Sequence, residues 1–218
     1  MAKEIATYLK GQRGRVGNVV FRKFRGGYVT SSRPEFIKRT PTPAEVIRRE
    51  RFATLSRLTA AFAKAAKLGF YPNTLGMMGA RNQFSKRNAY LVRATVDGVI
   101  EVDYSKIDLT SADKLAAPAF QTPTTGEDLT VTVAFTPASD VNETSEDDII
   151  RVVVMQPDYM MSVVSAGALR KAGTVSVKVP SLWSGTEVHV YGFAIGGKEG
   201  VNKNWRSETV YLGKKTIE

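Results

Sequence analysis

The sequence has no cysteine and only one histidine, His189, among its 218 residues. Without cysteine, the chain has no disulfide framework, no thiolate nucleophile and no thiolate metal site, a composition that fits a reducing compartment. His189 lies in the middle of a predicted strand, TEVHVYGFA, and no motif supplies the partners of a catalytic triad or a metal site. We therefore expect a half-exposed strand position for His189, and no catalytic residue, metal or other cofactor.

Long apolar runs are also missing. No segment approaches the ~20 apolar residues that a membrane-spanning helix needs, and the first ten residues, MAKEIATYLK, lack the apolar core of a signal peptide. Gly14-Arg-Val-Gly17 and Gly196-Gly197 do not form the strand–GxGxxG–helix or P-loop patterns of nucleotide sites. We expect a soluble protein that is made in the cytoplasm and has no small-molecule substrate.

Acidic residues are scarce in the first part of the chain. Residues 1–94 hold 20 Lys and Arg against 4 Asp and Glu, a net charge of +16, whereas residues 95–218 hold 11 against 17, a net charge of −6. The basic part can meet a polyanion such as nucleic acid, or the acidic part of a neighbouring copy. The acidic segment PASDVNETSEDD, residues 137–148, lacks the pattern of an EF-hand calcium loop, and we expect it to be an exposed loop.

The basic segment from Gly11 to Arg51 has the most distinctive pattern. β-Forming residues on both sides of Gly26-Gly27 predict a hairpin over Val16 to Ser32. Both faces of this hairpin carry apolar residues, so we expect another subunit to cover them. Its cations are expected to contact either nucleic acid or an acidic subunit surface, and the sequence supports the two interpretations about equally. The candidate contact cations are Arg13, Arg15, Arg22, Lys23, Arg25, Arg33, Lys38, Arg39, Arg48, Arg49 and Arg51, and the candidate packing residues are Val19, Phe21, Phe24 and Tyr28.

A long helix is predicted to follow the hairpin. Thr42 is a natural N-cap, Pro43 suits the first helical position, and Glu45 completes a capping box. Gly69 is the predicted end of the helix, and a short helix is expected over residues 80–90. We expect the apolar stripe of the long helix to be buried in the core rather than to form a groove for a partner. It comprises Ile47, Phe52, Leu55, Leu58, Phe62, Ala65 and Ala66.

From about residue 91 onward the composition changes to β-branched residues that alternate with polar ones. Seven strands are predicted, over 91–96, 99–104, 129–135, 149–156, 174–179, 186–195 and 207–212. Short strands with turn signals between them are typical of an antiparallel, immunoglobulin-like β-sandwich. The predicted fold class is therefore α+β: a basic hairpin-and-helix assembly region over residues 1–94, then an Ig-like β-sandwich over residues 95–218.

Several motifs, taken in order, resemble a known family. They are Gly14-x-x-Gly17-Asn18-Val19-Val20, Arg33-Pro34, Arg51-Phe52, Gly69-Phe70, Lys86-Arg87-Asn88-Ala89, Val102-Asp103-Tyr104-Ser105-Lys106, Val190-Tyr191-Gly192-Phe193 and Ser207-Glu208-Thr209-Val210-Tyr211-Leu212. This order resembles an uncharacterised family common in Bacteroidota genomes and their phages, and it is similar to the virion structural proteins of crAss-like phages. Separately, Val179–Leu212 resembles the last strands of fibronectin type III or immunoglobulin-like domains.

The resemblance implies a non-enzymatic virion protein, an oligomeric ring or connector subunit of the phage tail or collar. The implied partners are further copies of the chain, other tail or portal proteins and packaged DNA, with no membrane. The alternative hypothesis is a nucleic-acid-binding protein that uses the basic N-terminal half. A ring subunit should self-assemble, whereas a nucleic-acid binder should stay small and bind oligonucleotides with a steep salt dependence.

Overall fold

The chain divides into two units in the computed structural model, one spanning Met1–Thr42 and the other Pro43–Glu218. The boundary expected from the sequence followed residue 94, whereas the observed one precedes the helices, because the helices share a hydrophobic core with the later strands. The structure describes residues 13–24, 27–33, 40–70, 79–112, 115–126, 128–137, 144–197 and 204–218.

The N-terminal unit contains an antiparallel sheet of three strands in the order β1-β2-β3. The strands are β1 (Gly14–Val16), β2 (Val19–Phe24) and β3 (Gly27–Ser32). The predicted hairpin is present as β2 and β3, but Gly27 pairs with Phe24 and therefore belongs to the strand rather than to the turn. Strand β1 was not predicted.

Gly17 and Asn18 form the two-residue turn between β1 and β2, since Val16 pairs directly with Val19. Gly17 has a φ of +58°, and two-residue hairpin turns require such positive φ angles, which glycine adopts without steric cost. The backbone N–H of Arg33 donates to the carbonyl oxygen of Asn18 at 2.7 Å. The Gly-Asn pair of the N-terminal motif is therefore a structural turn.

The second unit is α+β, as predicted, with a β-rich C-terminal part. Its helices are α1 (Pro43–Ala61), α2 (Ala63–Gly69) and α3 (Ala80–Asn88). Its strands are β4 (Val92–Ala94), β5 (Ile100–Val102), β6 (Thr124–Gly126), β7 (Thr130–Ala134), β8 (Ile149–Gln156), β9 (Met161–Val164), β10 (Ala168–Leu169), β11 (Thr174–Lys178), β12 (Glu187–Ile195) and β13 (Val210–Thr216). All seven predicted strands of this unit have a counterpart, whereas the short strands β6, β9 and β10 were not predicted.

Two antiparallel sheets and the helices form three layers in this unit. The middle sheet has the order β10-β8-β12-β13, with β9 also paired to β8, and the outer sheet has the order β11-β7-β6. Val152 of β8 faces the outer sheet and belongs to the buried cluster that contains Val131 and Trp183, whereas Val153 faces the helices and belongs to the cluster that contains Phe62. The middle sheet is thus covered on both faces, which explains the nearly continuous apolar sequences of β8 and β12.

Gly192 shows how closely the layers approach. A Cβ atom at this position of β12 would lie 2.6 Å from the ring of Phe120. Real Cβ atoms do not approach other atoms so closely, so the ring can lie over the strand only where the residue is glycine. The Val-Tyr-Gly-Phe motif at residues 190–193 therefore serves packing.

The predicted long helix begins at Pro43 as expected but is divided at Phe62, which separates α1 from α2. The Ser162 hydroxyl of β9 donates to the carbonyl oxygen of Ala61 at 2.8 Å, and Phe62 has a φ of −86° and a ψ of 11°. Phe62 remains fully buried. The two helices therefore bend around a contact with β9, while Leu58, Phe62, Ala65 and Ala66 of their apolar stripe stay in the core.

Candidate functional site

The β1–β3 sheet presents different side chains on its two faces. Directly paired residues of antiparallel strands point to the same face, so the register assigns each side chain to a face. None of the described side chains of this sheet is buried, and Val16 is 66% exposed. One face carries Val16, Val19, Phe21, Lys23, Thr30 and Ser32, and the other carries Arg15, Val20, Arg22, Val29 and Ser31. Both faces therefore carry apolar side chains that remain partly exposed.

The described cations of this unit are all exposed. Residues 5–34 contain no Asp or Glu, so the sheet has no acidic residue of its own to neutralise them. Arg15 and Arg22 lie on the same face, and Arg15 Nε donates to the carbonyl oxygen of Gly17 at 3.2 Å, beside the turn. The predicted contact cations placed here are Arg13, Arg15, Arg22, Lys23 and Arg33.

Strand β3 is an edge of the sheet and pairs only with β2 among the described strands. Its sequence, GYVTSS, contains no charged residue and no proline, and its pairing with β2 has no bulge. Natural edge strands usually carry a charged residue, a proline or a bulge, which prevents pairing with a further strand. The alternation of hydrogen bonds along β2 leaves the backbone groups of residues 28, 30 and 32 directed away from β2. Strand β3 can therefore accept a further strand.

The helix cations lie in the other unit, on α1. Arg48 and Arg49 are exposed, whereas Arg51 Nε donates to the carbonyl oxygen of Val92 at 3.1 Å and so holds α1 against β4. Phe52, predicted to belong to the buried stripe, is 70% exposed. The prediction was wrong for Phe52, whereas Leu58, Phe62, Ala65 and Ala66 of the same stripe are buried as predicted.

Five predicted contact residues are not placed by the structure. Arg25, Lys38 and Arg39 lie outside the described residues, as do the side chains of Phe24 and Tyr28. The basic candidates that are described fall into two groups, one on the β1–β3 sheet and one on α1.

His189 is buried, not half-exposed as predicted, with 6% of its surface accessible. Its ring stacks on Tyr104 with 4.8 Å between centroids, and its Nδ1 lies 2.8 Å from the Tyr211 hydroxyl. Burial lowers the pKa of His189 below its ordinary value of 6.5, and the nearby positive charge of Lys214 lowers it further. The ring belongs to the core that joins β12 to β13 and to the segment after β5.

The acidic segment differs from its prediction at Asp148. Glu146 and Asp147 are exposed, but Asp148 is fully buried. Its carboxylate accepts hydrogen bonds from the backbone N–H groups of Ser145 and Gly197 and lies 3.6 Å from Arg170 Nε. Asp148 therefore fixes the start of β8, while residues 138–143 of the same segment lie outside the described residues.

Two of the motifs that carry the family resemblance, at residues 86–89 and 207–212, have structural roles. Asn88 is buried, donates to the carbonyl oxygens of Phe84 and Asp108, and accepts from the Asp108 N–H. The Thr110 hydroxyl donates to the carbonyl oxygen of Ser207 at 2.7 Å, and the Leu109 N–H donates to the Thr209 hydroxyl at 2.8 Å. These contacts tie α3 and the segment before β13 to the connection at residues 108–110. The motifs therefore maintain the fold.

Within the described ranges, no group of three or more His, Asp or Glu side chains could hold a metal ion. No helix in this part of the chain is long and apolar enough to cross a membrane.

Sequence reasoning missed two features of the candidate surfaces. The open edge of β3 could have been found from the lack of charge and proline in GYVTSS. The exposure of Phe52 had no sequence signal, since its spacing from Leu55 fits a helical stripe and only the position of the neighbouring elements leaves it uncovered.

Comparison with known proteins places the chain in a family. A search of curated proteins found no match. A family model matches residues 11–213, nearly the whole chain, from the β1–β3 sheet to the last strand of the middle sheet. The chain therefore belongs to DUF6266, a family of unknown function.

Proposed function

We propose that the protein is a non-enzymatic virion structural protein whose copies assemble with one another as ring or connector subunits of a phage tail or collar. The β1–β3 sheet carries this proposal. It has partly exposed apolar side chains on both faces and an edge that no described strand covers. The motif order resembles that of virion proteins of crAss-like phages, and this resemblance supports a location in the virion. Other tail or portal proteins and packaged DNA are the further proposed partners.

The two edges of this sheet suit a closed ring. A ring requires two different surfaces on each subunit, because each copy contacts the next one head to tail. The sheet order puts β1 at one edge and β3 at the other, so β3 of one copy can pair with β1 of the next. Main-chain pairing of this kind supplies the affinity, and the side chains on the two faces supply the specificity.

The test is the particle mass of the purified protein at low and moderate salt, by native mass spectrometry and negative-stain microscopy. We expect closed particles of uniform copy number. A monomer at every concentration and salt condition would contradict self-assembly.

A variant of the β3 edge tests how the copies pair. Thr30→Pro removes a backbone N–H that points away from β2, and proline is tolerated on edge strands. We expect this variant to remain monomeric, whereas the matched control Thr30→Ser keeps the N–H and should assemble. Assembly of both variants would show that copies do not pair through this edge.

The second candidate function is nucleic-acid binding by the cations of the β1–β3 sheet. It is favoured by five exposed cations in a stretch that has no acidic residue. The double variant Arg15→Glu/Arg22→Glu reverses two charges on one face. If the wild-type chain is a monomer that binds oligonucleotides and the double variant does not, the second candidate replaces the first.

A further inference from the structure

A basic groove lies on the helical side of the second unit, between the α1–α2 junction and the connection from β8 to β9. Its volume is about 660 Å³. Small side chains of α1 and α2 line it on one side, and the β8–β9 connection lines it on the other. Its lining includes Arg57, Lys64, Arg81, Tyr159, Met161 and Ser162.

Hydrogen bonds hold the β8–β9 connection in place at one side of the groove. The Tyr159 N–H donates to Gln156 Oε1 at 2.7 Å, and the Met160 N–H donates to the carbonyl oxygen of Pro157 at 3.1 Å. Beside them, the Ser162 hydroxyl donates to the carbonyl oxygen of Ala61, which lines the opposite side of the groove. The connection therefore presents Tyr159 and Met161 in a fixed position, 44% and 48% exposed.

The charges at the groove have one sign. Arg57, Lys64 and Arg81 are exposed, and none of them forms an ion pair with the residues that the structure describes. No Asp or Glu lines the groove. The nearest acidic residue in sequence, Asp158, does not line the groove, and its carboxylate is held by a hydrogen bond from Gln156 Nε2 at 3.0 Å. The groove therefore attracts anions.

The helices that border the groove are basic overall. Residues 43–70 and 79–88, which contain the three helices, hold nine Lys and Arg against two Asp and Glu. Their net positive charge adds to the positive potential near the groove. Proteins that bind single strands combine such a basic track with an exposed aromatic ring on which a base stacks.

We propose that this groove binds single-stranded nucleic acid, with phosphates at Arg57, Lys64 and Arg81 and an unpaired base on the ring of Tyr159. The exposed Met161 and the alanines of α1 and α2 that line the groove supply apolar contact for the sugar and base. The site lies in the second unit and depends neither on self-assembly nor on the cations of the β1–β3 sheet.

The test is fluorescence anisotropy of a labelled fifteen-nucleotide oligo-dT, titrated with the full chain at several salt concentrations. The variant Arg57→Glu/Lys64→Glu/Arg81→Glu should bind at least about tenfold more weakly, and the slope of log K against log salt should decrease by about 2, the value expected for three lost phosphate contacts on a single strand. These side chains are exposed, so thermal unfolding should confirm an intact fold.

A charge-matched control separates the effect of the groove contacts from the effect of the net charge of the protein. Lys106→Glu/Lys171→Glu/Lys178→Glu changes the net charge by the same amount at exposed positions that do not line the groove. It should retain most of the affinity. Equal losses in the two triple variants, or no binding of oligo-dT by the wild-type chain at low salt, would overturn the proposal.

Tyr159 tests the stacking contact. Tyr159→Ala should weaken binding by roughly five- to tenfold, within the usual range for one stacked base, and leave the salt slope unchanged, whereas Tyr159→Phe should bind like the wild type. Unchanged affinity of Tyr159→Ala would overturn the assignment of a stacked base.

Two further outcomes identify a different site or ligand. If Arg15→Glu/Arg22→Glu abolishes oligo-dT binding while the groove variant retains it, the β1–β3 sheet is the binding site and the groove proposal is wrong. If a Glu- and Leu-containing peptide binds and oligo-dT does not, the groove is a protein-docking site instead. Self-assembly is measured separately, so its failure would leave the groove result intact.

Discussion

Strands β2 and β8 share one sequence property and differ in their surroundings. Both carry apolar residues on two faces: β2 reads VVFRKF and β8 reads IIRVVVMQ. In β8, every residue from Val152 to Gln156 is buried, because helices cover one face of the middle sheet and the outer sheet covers the other. In β2, no described side chain is buried. Apolar residues on both faces of a strand thus indicate two-sided contact, and the second unit provides it within itself, whereas we propose that neighbouring copies provide it for β2.

The largest expected effect comes from opening the core between the helices and the middle sheet. Phe62 is fully buried, lies 5.5 Å from Phe84 between ring centroids and contacts Tyr191 edge to face. Phe62→Ala should lower the free energy of unfolding by about 3–5 kcal/mol, since it removes contacts and leaves a cavity. Urea unfolding measures the loss.

The matched change in the β1–β3 sheet is Phe21→Ala. Because Phe21 is only partly buried, the main urea transition should change by less than about 1 kcal/mol. Similar losses for the two variants would show that Phe21 is as well packed as Phe62 and would remove the contrast between the units.

A smaller but still large effect is expected at the buried ion pair of Asp148 and Arg170. Asp148→Ala leaves the buried guanidinium of Arg170 without its carboxylate, and the loss of one partner of such a pair costs about 3 kcal/mol. The neighbouring variant Asp147→Ala removes an exposed carboxylate that lies 3.8 Å from Lys171, and it should change stability by less than about 0.5 kcal/mol. Equal melting temperatures for the two variants would contradict a role for Asp148 in fixing β8.

The smallest expected effect is a dependence of stability on pH that comes from His189. Burial and the charge of Lys214 lower the pKa of His189 in the folded chain, so the unfolded chain binds the proton more readily. Stability contributed by the neutral ring is therefore complete above pH 6.5 and is lost as the pH falls below that value, by at most about 1.4 kcal/mol per pH unit. Urea unfolding between pH 5 and pH 7.5 measures the slope.

The control for this prediction is His189→Gln, which has no titrating ring. Its stability should vary less between pH 5.5 and pH 7 than that of the wild type. An unchanged slope in the variant would assign the pH dependence to other groups.

Local signals explain which parts of the fold could be predicted. β-Branched residues and alternation predicted β7, β8 and β12, because these patterns extend over five or more residues. Strand β10 has two residues and β6 has three, too few for an alternation to be recognised. Strand β13 begins at Val210 instead of residue 207, because the Ser207 carbonyl and Thr209 hydroxyl bond to the segment of Leu109 and Thr110.

For the candidate surfaces, the basic residues could be predicted from the sequence, but their spatial neighbours could not. The sequence identified the cations of the β1–β3 sheet and α1, since charge is a property of the residue itself. It did not reveal the groove, whose cations Arg57, Lys64 and Arg81 meet Tyr159 only because β8 and β9 turn back beside the α1–α2 junction.

By itself, the sequence determined the charge asymmetry, the start of α1 at Pro43 and the alternation of the main strands, because each depends on residues close together in the chain. Only the tertiary structure decided that Asp148 and His189 are buried, that Phe52 is exposed and that the helix divides at Phe62. The burial of a side chain depends on which distant segments cover it. In this protein those segments can be separated by more than a hundred residues, as between Leu68 and Arg206, which are 138 residues apart.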